Sequence, residues 1–381
     1  MSTSSPVAVW SSIASPSTIG VGAYVHIPFC RHKCDYCAFA TFTDKAHLVA
    51  QYLQALRTEI ERAAPTLQPA AAVFVGGGTP SHVDPSLLVH ALDAILRRSD
   101  AEFTVECNPD DVTAELLSAY RTIGVNRISL GMQSSSLHVL GALGRTHSPD
   151  NVQRAVDAIR ATGFTTFNLD IIYGGAGESL ADWAATVEAV IQLGAPHVSA
   201  YGLTVESGTA LADQPLRHPD DDDQADKYDI VDDLLTAAGY ANYEISNWAK
   251  PGHECRINAV YWSGGDYAGF GSAAHGHRNG RRAWNVRTPD RFIELIEAGR
   301  TAESSFEELD DHTRTLERLQ LQLRTRDGVP LAALDPVDVD DMGELVTRVG
   351  DRLVLTRAGR LLANEVSLRL RVTPSLGAEP R

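Results

Sequence analysis

The chain has 381 residues, 44 % of them hydrophobic and 22 % charged, with 33 Lys+Arg against 49 Asp+Glu for a formal net charge of −16. That length holds two domains, or one large barrel-type domain with an appendage. The acidic balance argues against sequence-independent nucleic-acid binding, which needs phosphate-neutralising cations, and five cysteines, three of them between positions 30 and 37, are no disulfide framework.

Residues 1–20 are Ser/Pro-rich, without the basic and apolar regions of a signal peptide, and read as a disordered tail. Nowhere is there a run of about 18 apolar residues, so no membrane span is expected and the expected location is the reducing cytoplasm. Short β-branched runs then alternate with amphipathic helical patterns. The predicted strands are 23–29, 71–77, 102–108, 126–132, 166–174 and 197–203; helices are predicted over 46–63, 84–99 and 148–163. Strands separated by helices imply βαβ units and a parallel sheet. The fold class is therefore α/β, a partial (β/α)6 TIM-like barrel over residues 21–240. Residues 241–304 are a Gly/aromatic-rich cap region, within which 243–276 reads as loop-dominated. Residues 305–381 read as a small winged-helix-like domain. Positions 311–381 carry eleven Lys+Arg and eleven Asp+Glu, which favours a packing or lid role over contact with nucleic acid.

The residues with chemistry recur at one place in this rhythm. Cys30, Cys34 and Cys37 follow the first strand, "GGGTPS" (76–81) follows the second and Glu106 lies at the end of the third. Gln133 ends the fourth, Asp170 lies in the fifth and Tyr201 in the sixth. Ligands of parallel α/β folds bind at the carboxyl ends of strands, so these groups are expected to share one cavity. The glycine turn lets a backbone approach a ligand and lacks the lysine of a nucleotide-triphosphate loop. Arg145 is a candidate carboxylate contact. Asp170 sits in the otherwise apolar "FNLDIIYG" and needs a partner there.

Three cysteines are one short of the usual four metal ligands. A zinc site completed by His26 or His32, and an iron–sulfur site completed by Cys107 or Cys255, are both open on the residues alone. A third solution is a 4Fe–4S cluster with one iron left for a small molecule.

The spacing C-x3-C-x2-C with Tyr36 before the last cysteine resembles the radical S-adenosylmethionine (SAM) superfamily. Together with "YVHIPFCRHKCDYCAF", "GGGTPS", "ECNP", "RISLGMQS", "LGRTH", "NLDIIYG" and "SAYGLTVESGTAL", it is similar to the branch of oxygen-independent coproporphyrinogen III oxidases and their HemW haem-chaperone relatives, from about residue 22 onward. The resemblance implies a radical SAM barrel. It implies that Cys30, Cys34 and Cys37 ligate the cluster and that Tyr24, Tyr36, Gly77, Gly78, Thr79, Glu106, Gln133, Arg145 and Asp170 surround SAM. The oxidases carry another cysteine two residues after the third ligand, where this chain has Phe39. That feature, the short segment before the cysteines and "YGLTVESGTAL" point to the chaperone side. The implied partners are haem or porphyrin and a haem-acceptor protein, with membrane contact only through that acceptor and a homodimer as an option. The H-N-x-x-Y-W motif linked to haem in HemW is matched here by Asn258, Tyr261 and Trp262, but Ile257 occupies the histidine position. His253 and Cys255 are then the nearest candidate axial ligands. "YGGAG" (173–177) departs from the usual Y-G-L-P-G, and His275 and His277 read as loop histidines packing the cap.

Overall fold

The computed structural model describes residues 19–372. The tail expected over 1–20 lies outside the described residues except for Ile19 and Gly20, as do residues 373–381.

Strands β1 (Gly22–Ile27), β2 (Ala70–Gly77), β3 (Arg97–Cys107), β4 (Arg127–Gln133), β5 (Thr166–Tyr173) and β6 (His197–Gly202) lie side by side in chain order, all parallel. Helices α1 (Val49–Ala63), α2 (Pro85–Leu92), α3 (Ala114–Thr122), α4 (Leu137–Ala142), α5 (Pro149–Ala161) and α6 (Leu180–Leu193) occupy the connections. This is the α/β, six-strand partial barrel that the alternation predicts. One helix is shorter than its pattern: α2 ends at Leu92, not Ser99, and β3 begins at Arg97, whose backbone pairs with Ala70. No Gly or Pro marks that stop. Arg97 fixes the new strand by donating to the carbonyls of Ile95 and Ile123 (3.2 and 2.5 Å).

Strand alternation divides the sheet into two unlike faces. Val25, Ile27, Val73, Val75, Phe103, Val105, Ile128, Leu130, Leu169 and Ile171 point outward and are buried with Leu53, Leu56, Leu117, Ile159 and Trp183 of the helical layer. At about 1.5–3 kcal/mol per buried side chain, this layer supplies most of the driving force for the fold. The inward positions are polar instead: Glu102, Thr104 and Glu106 on β3, Arg127 and Ser129 on β4, Asn168 and Asp170 on β5, His197, Ser199 and Tyr201 on β6.

The sheet stays open and is extended at both edges to twelve strands. After α7 (Asp221–Ala237) come β7 (Ala241–Glu244) and β8 (Asn247–Ala249), and β8 pairs antiparallel with β6. Helix α8 (Arg256–Trp262) packs on β1 and β2, and β9 (Tyr267–Phe270) pairs parallel with the free edge of β1. Then β10 (His275–Arg278), β11 (Arg281–Asn285), α9 (Pro289–Glu297) and β12 (Glu303–Glu308) complete that side. Residues 243–276 are thus not loop-dominated. Their strands are mostly three to five residues long, too short for alternation to register against the glycines and aromatics around them. The expected boundary at 305 also falls inside β12, which belongs to the large sheet.

Helix α10 (Asp311–Leu323) leads into a second, smaller core of Leu319, Leu323, Leu334, Leu353, Leu355 and Val366. It surrounds a three-stranded sheet of β13 (Val329–Pro330), β15 (Arg352–Leu355) and β14 (Val346–Val349), with α11 (Pro336–Asp341), α12 (Arg357–Leu361) and α13 (Ala363–Arg369). Asp232 on α7 clasps this unit: it accepts from Trp248 Nε1 (2.9 Å), Arg357 Nε (2.7 Å) and Arg360 Nη2 (2.8 Å).

Candidate functional site

At the carboxyl ends of β1–β6 lies a cavity of about 640 Å³. Cys30, Cys34, Cys37, Tyr36, Gly77, Gly78, Thr79, Glu106, Gln133, Arg145, Asp170 and Tyr201 all line it. Residues spread over more than 170 positions of sequence meet there because most lie near or just beyond the same end of a parallel strand, while Arg145 is returned to it by the loop after α4.

The cysteine loop lies on the β1–β2 connection. All three thiols are free and half-buried. Thr79 Oγ1 donates to Cys30 Sγ (3.4 Å) and Arg145 Nη1 to Cys34 Sγ (3.4 Å). Burial pushes the Cys30 and Cys37 thiols up. Among the described residues no three His, Cys, Asp or Glu side chains converge on one point as the ligands of a single ion would. A cluster takes one thiolate per iron, and the donor set suits that arrangement. His26, the proposed zinc partner, is buried with Nε2 3.0 Å from the Ala40 carbonyl and Nδ1 3.1 Å from the Tyr24 hydroxyl. Cys107 packs with the apolar outer layer while bordering the same cavity, and Cys255, 2 % exposed, lies against Arg127 Nη1 (3.3 Å).

The glycine turn forms a cradle of bare backbone. Gly77 has φ +102°, and a Cβ on Gly78 would stand 2.6 Å from the Ile27 carbonyl oxygen and 2.7 Å from that of Phe29. Gly77 N–H donates to Glu106 Oε2 (3.2 Å). Burial, then the neighbouring Asp170, push the Glu106 carboxyl up to about 8. Burial also raises Asp170, which accepts from Ser129 Oγ (3.0 Å) and Asn168 Nδ2 (2.8 Å). Those are the partners a carboxylate in an apolar strand requires. The chain of contacts continues down the barrel: Asn168 Oδ1 to His197 Nδ1 (2.7 Å), and His197 Nε2 to the Tyr243 hydroxyl (2.8 Å). The strand period alone places Ser129, Asn168 and His197 on the inner face, so a reading by alternation could have found them.

Gln133 sits at a bulge between β4 and β5 with φ +63°, a conformation rarely adopted outside glycine, and its Oε1 is buried without a partner among the described residues. A left-handed backbone together with an orphaned acceptor at a cavity wall marks a place where strain is kept for a ligand.

Tyr24 is the one candidate of the SAM set that the structure does not bring to this cavity. It pairs with Phe74, one inward layer below Gly76, and does not line this cavity. It faces a second one, of about 870 Å³, between the β9–β11 edge and α10. Ala38 and Phe39 of the cysteine loop line both cavities, and Phe39 is 64 % exposed. His275 and His277 lie on β10 and line the second cavity; they are not loop residues. Ile257 is 1 % exposed, packed with Ala72 and Val260 on the inner face at the far end of the barrel. Asn258 donates to the Tyr243 hydroxyl (3.3 Å), while Tyr261 reaches the second cavity.

A sheet of this topology with three free cysteines, a glycine cradle and two neighbouring half-buried carboxyls at its mouth defines a radical SAM protein. Residues 24–190 match the family described as the radical SAM superfamily. The solved structure of Escherichia coli coproporphyrinogen III oxidase, a radical SAM enzyme, superposes with a TM-score of 0.79 over 93 % of this chain and 92 % of that one, at 21 % identity, and so shares the fold. The "Heme chaperone HemW" of Mycobacterium tuberculosis is 43 % identical over 91 % of this chain and 93 % of its own, and that of Bacillus subtilis 36 % over 90 % and 97 %. The chain belongs to the HemW family.

Proposed function

We propose that the chain is a cytoplasmic haem carrier that holds a 4Fe–4S cluster through Cys30, Cys34 and Cys37, binds SAM beside it, and delivers haem to an acceptor protein. The near full-length identity to curated haem chaperones carries this reading. Phe39 at the position of the oxidases' additional cysteine supports it. Among the described residues no helix is long and apolar enough to cross a membrane.

When bound, cluster and SAM supply one-electron chemistry at a sulfonium. The chain's own residues do the binding. The Gly77–Gly78 backbone allows close approach, and Glu106 and Asp170 present carboxyls to hydroxyl or amino groups. Arg145, held by the Cys34 thiol and the Gly131 carbonyl, brings a positive charge for a carboxylate, and Gln133 offers its side-chain carbonyl.

The test is anaerobic cluster reconstitution followed by haemin titration and incubation with coproporphyrinogen III. One haem per chain with a Soret band, and no decarboxylated product, is expected. Vinyl product without haem binding would replace the carrier with an oxidase.

A further inference from the structure

The cavity that Tyr24 faces has features the cofactor site does not use. Its volume, about 870 Å³, lies within the range of about 300–1,000 Å³ of small-molecule sites. Tyr261, Tyr267 and the exposed Phe39 give it aromatic surface. Its charge runs against that of the chain: Arg282, Arg287 and Arg324 line it with a single acid, Glu317, in a protein of net charge −16. Arg282 is already neutralised by Glu317 (2.6 Å) and Glu307 (2.9 Å). Arg287 and Arg324 have no ion-pair partner among the described residues; Arg324 bonds only the Gln320 carbonyl and Asn364 Oδ1. Two guanidiniums on one cavity, neither paired with a carboxylate among the described residues, fit a flat apolar ligand with two carboxylates.

The histidines of this cavity are not equivalent. His26 is buried and committed at both ring nitrogens, and His277 Nδ1 is held by the Gly265 carbonyl (3.1 Å). His275 is exposed, has no hydrogen-bonded partner among the described residues, and has its ring stacked on Trp284 (centroids 5.6 Å apart, planes at 23°). Stacking fixes the ring while leaving its nitrogens open. The nearest candidates by motif lie elsewhere: Cys255 is buried against Arg127, and His253 Nδ1 is bonded to Thr166 Oγ1 (2.9 Å).

We infer that this second cavity is the haem seat, with His275 as axial iron ligand and Arg287 and Arg324 as partners of the two propionates. The inference rests on the haem-carrier reading above. The seat adjoins the cluster loop through Phe39, so cargo and cofactor are neighbours without sharing a cavity.

The experiment titrates full-length reconstituted protein with haemin, read by the Soret band. His275→Ala is expected to shift the band and weaken binding about tenfold or more. His275→Met, which exchanges one iron ligand for another, should recover affinity with displaced bands, a response that a merely structural histidine would not give. The pair Arg287→Ala and Arg324→Ala should weaken haemin about tenfold and leave haemin dimethyl ester unchanged. His253→Ala, melted in parallel to verify folding, should bind as the native chain does. A native chain that takes up no haemin overturns the carrier reading itself. Native binding that persists with unaltered spectrum and affinity in the His275 and arginine variants overturns this seat and leaves the reading intact.

Discussion

The two cavities flanking the cysteine loop are built on different principles. The first stands on the ends of six long parallel strands, and its polar groups are fixed from behind by buried hydrogen bonds running from Asp170 to Tyr243. The second is bounded by short edge strands and a helix of the smaller unit, with aromatic walls and cations. A small polar cofactor calls for pre-aimed donors and acceptors. A flat apolar cargo that must later leave needs surface, charge and one labile bond. On the proposed function the difference is that between a resident and a passenger.

The sharpest way to break this comparison is to empty one side. Replacing Cys30, Cys34 and Cys37 together by Ala should abolish cluster iron and sulfide, while haemin affinity stays within about twofold. Iron and sulfide analysis alongside a haemin titration reads both. A joint loss would mean that the cavities form a single site.

Glu106 comes next. Its folded value of about 8 lies above the ordinary value of 4.5. The stability it contributes is therefore fully present below about pH 4.5 and is lost as pH rises through about 8. Glu106→Gln should remove that loss, raising stability of the cofactor-free protein at pH 8.5 and flattening its pH dependence between 5 and 8.5. SAM affinity should fall. Denaturant titrations at several pH values decide it, and an unchanged slope with pH would show that Glu106 is not held protonated.

The legibility of these regions follows the same division. The outer face of the barrel could be read because long apolar strands and amphipathic helices carry clear periods. The mouth could be read because each chemistry-bearing residue ends such a strand. Residues 241–308 could not: strands as short as Asn247–Ala249 give alternation no length, and their partners β1 and β6 are distant in sequence. That Tyr24 faces the second cavity could not be read either, because which inward layer a residue joins is a matter of register, here its pairing with Phe74. The end of α2 was hidden because its stop is set by the tertiary contacts of Arg97.

Gly78→Ala tests the cradle at smaller amplitude. A methyl group 2.6–2.7 Å from two carbonyl oxygens forces backbone movement, at a cost of about 1–3 kcal/mol. The expected result is a lowered melting temperature with SAM binding weakened more than haemin binding. Equal losses for both ligands would indicate general unfolding.

Ile257→His should have the smallest effect on haem, although it restores the family's motif histidine. Position 257 lies under Tyr267 and against Gly22, inside the barrel at the end away from the cysteines. An imidazole there is buried without a partner, at a cost of about 1–3 kcal/mol in stability. It adds no ligand to a cavity whose histidine is His275. Haemin affinity is expected to change by less than about twofold, with the Soret band in place and the melting temperature lowered. A tenfold gain would instead put the iron at the α8 end of the barrel and make the Asn258–Tyr261–Trp262 helix, rather than the β10 edge, the cargo-holding element.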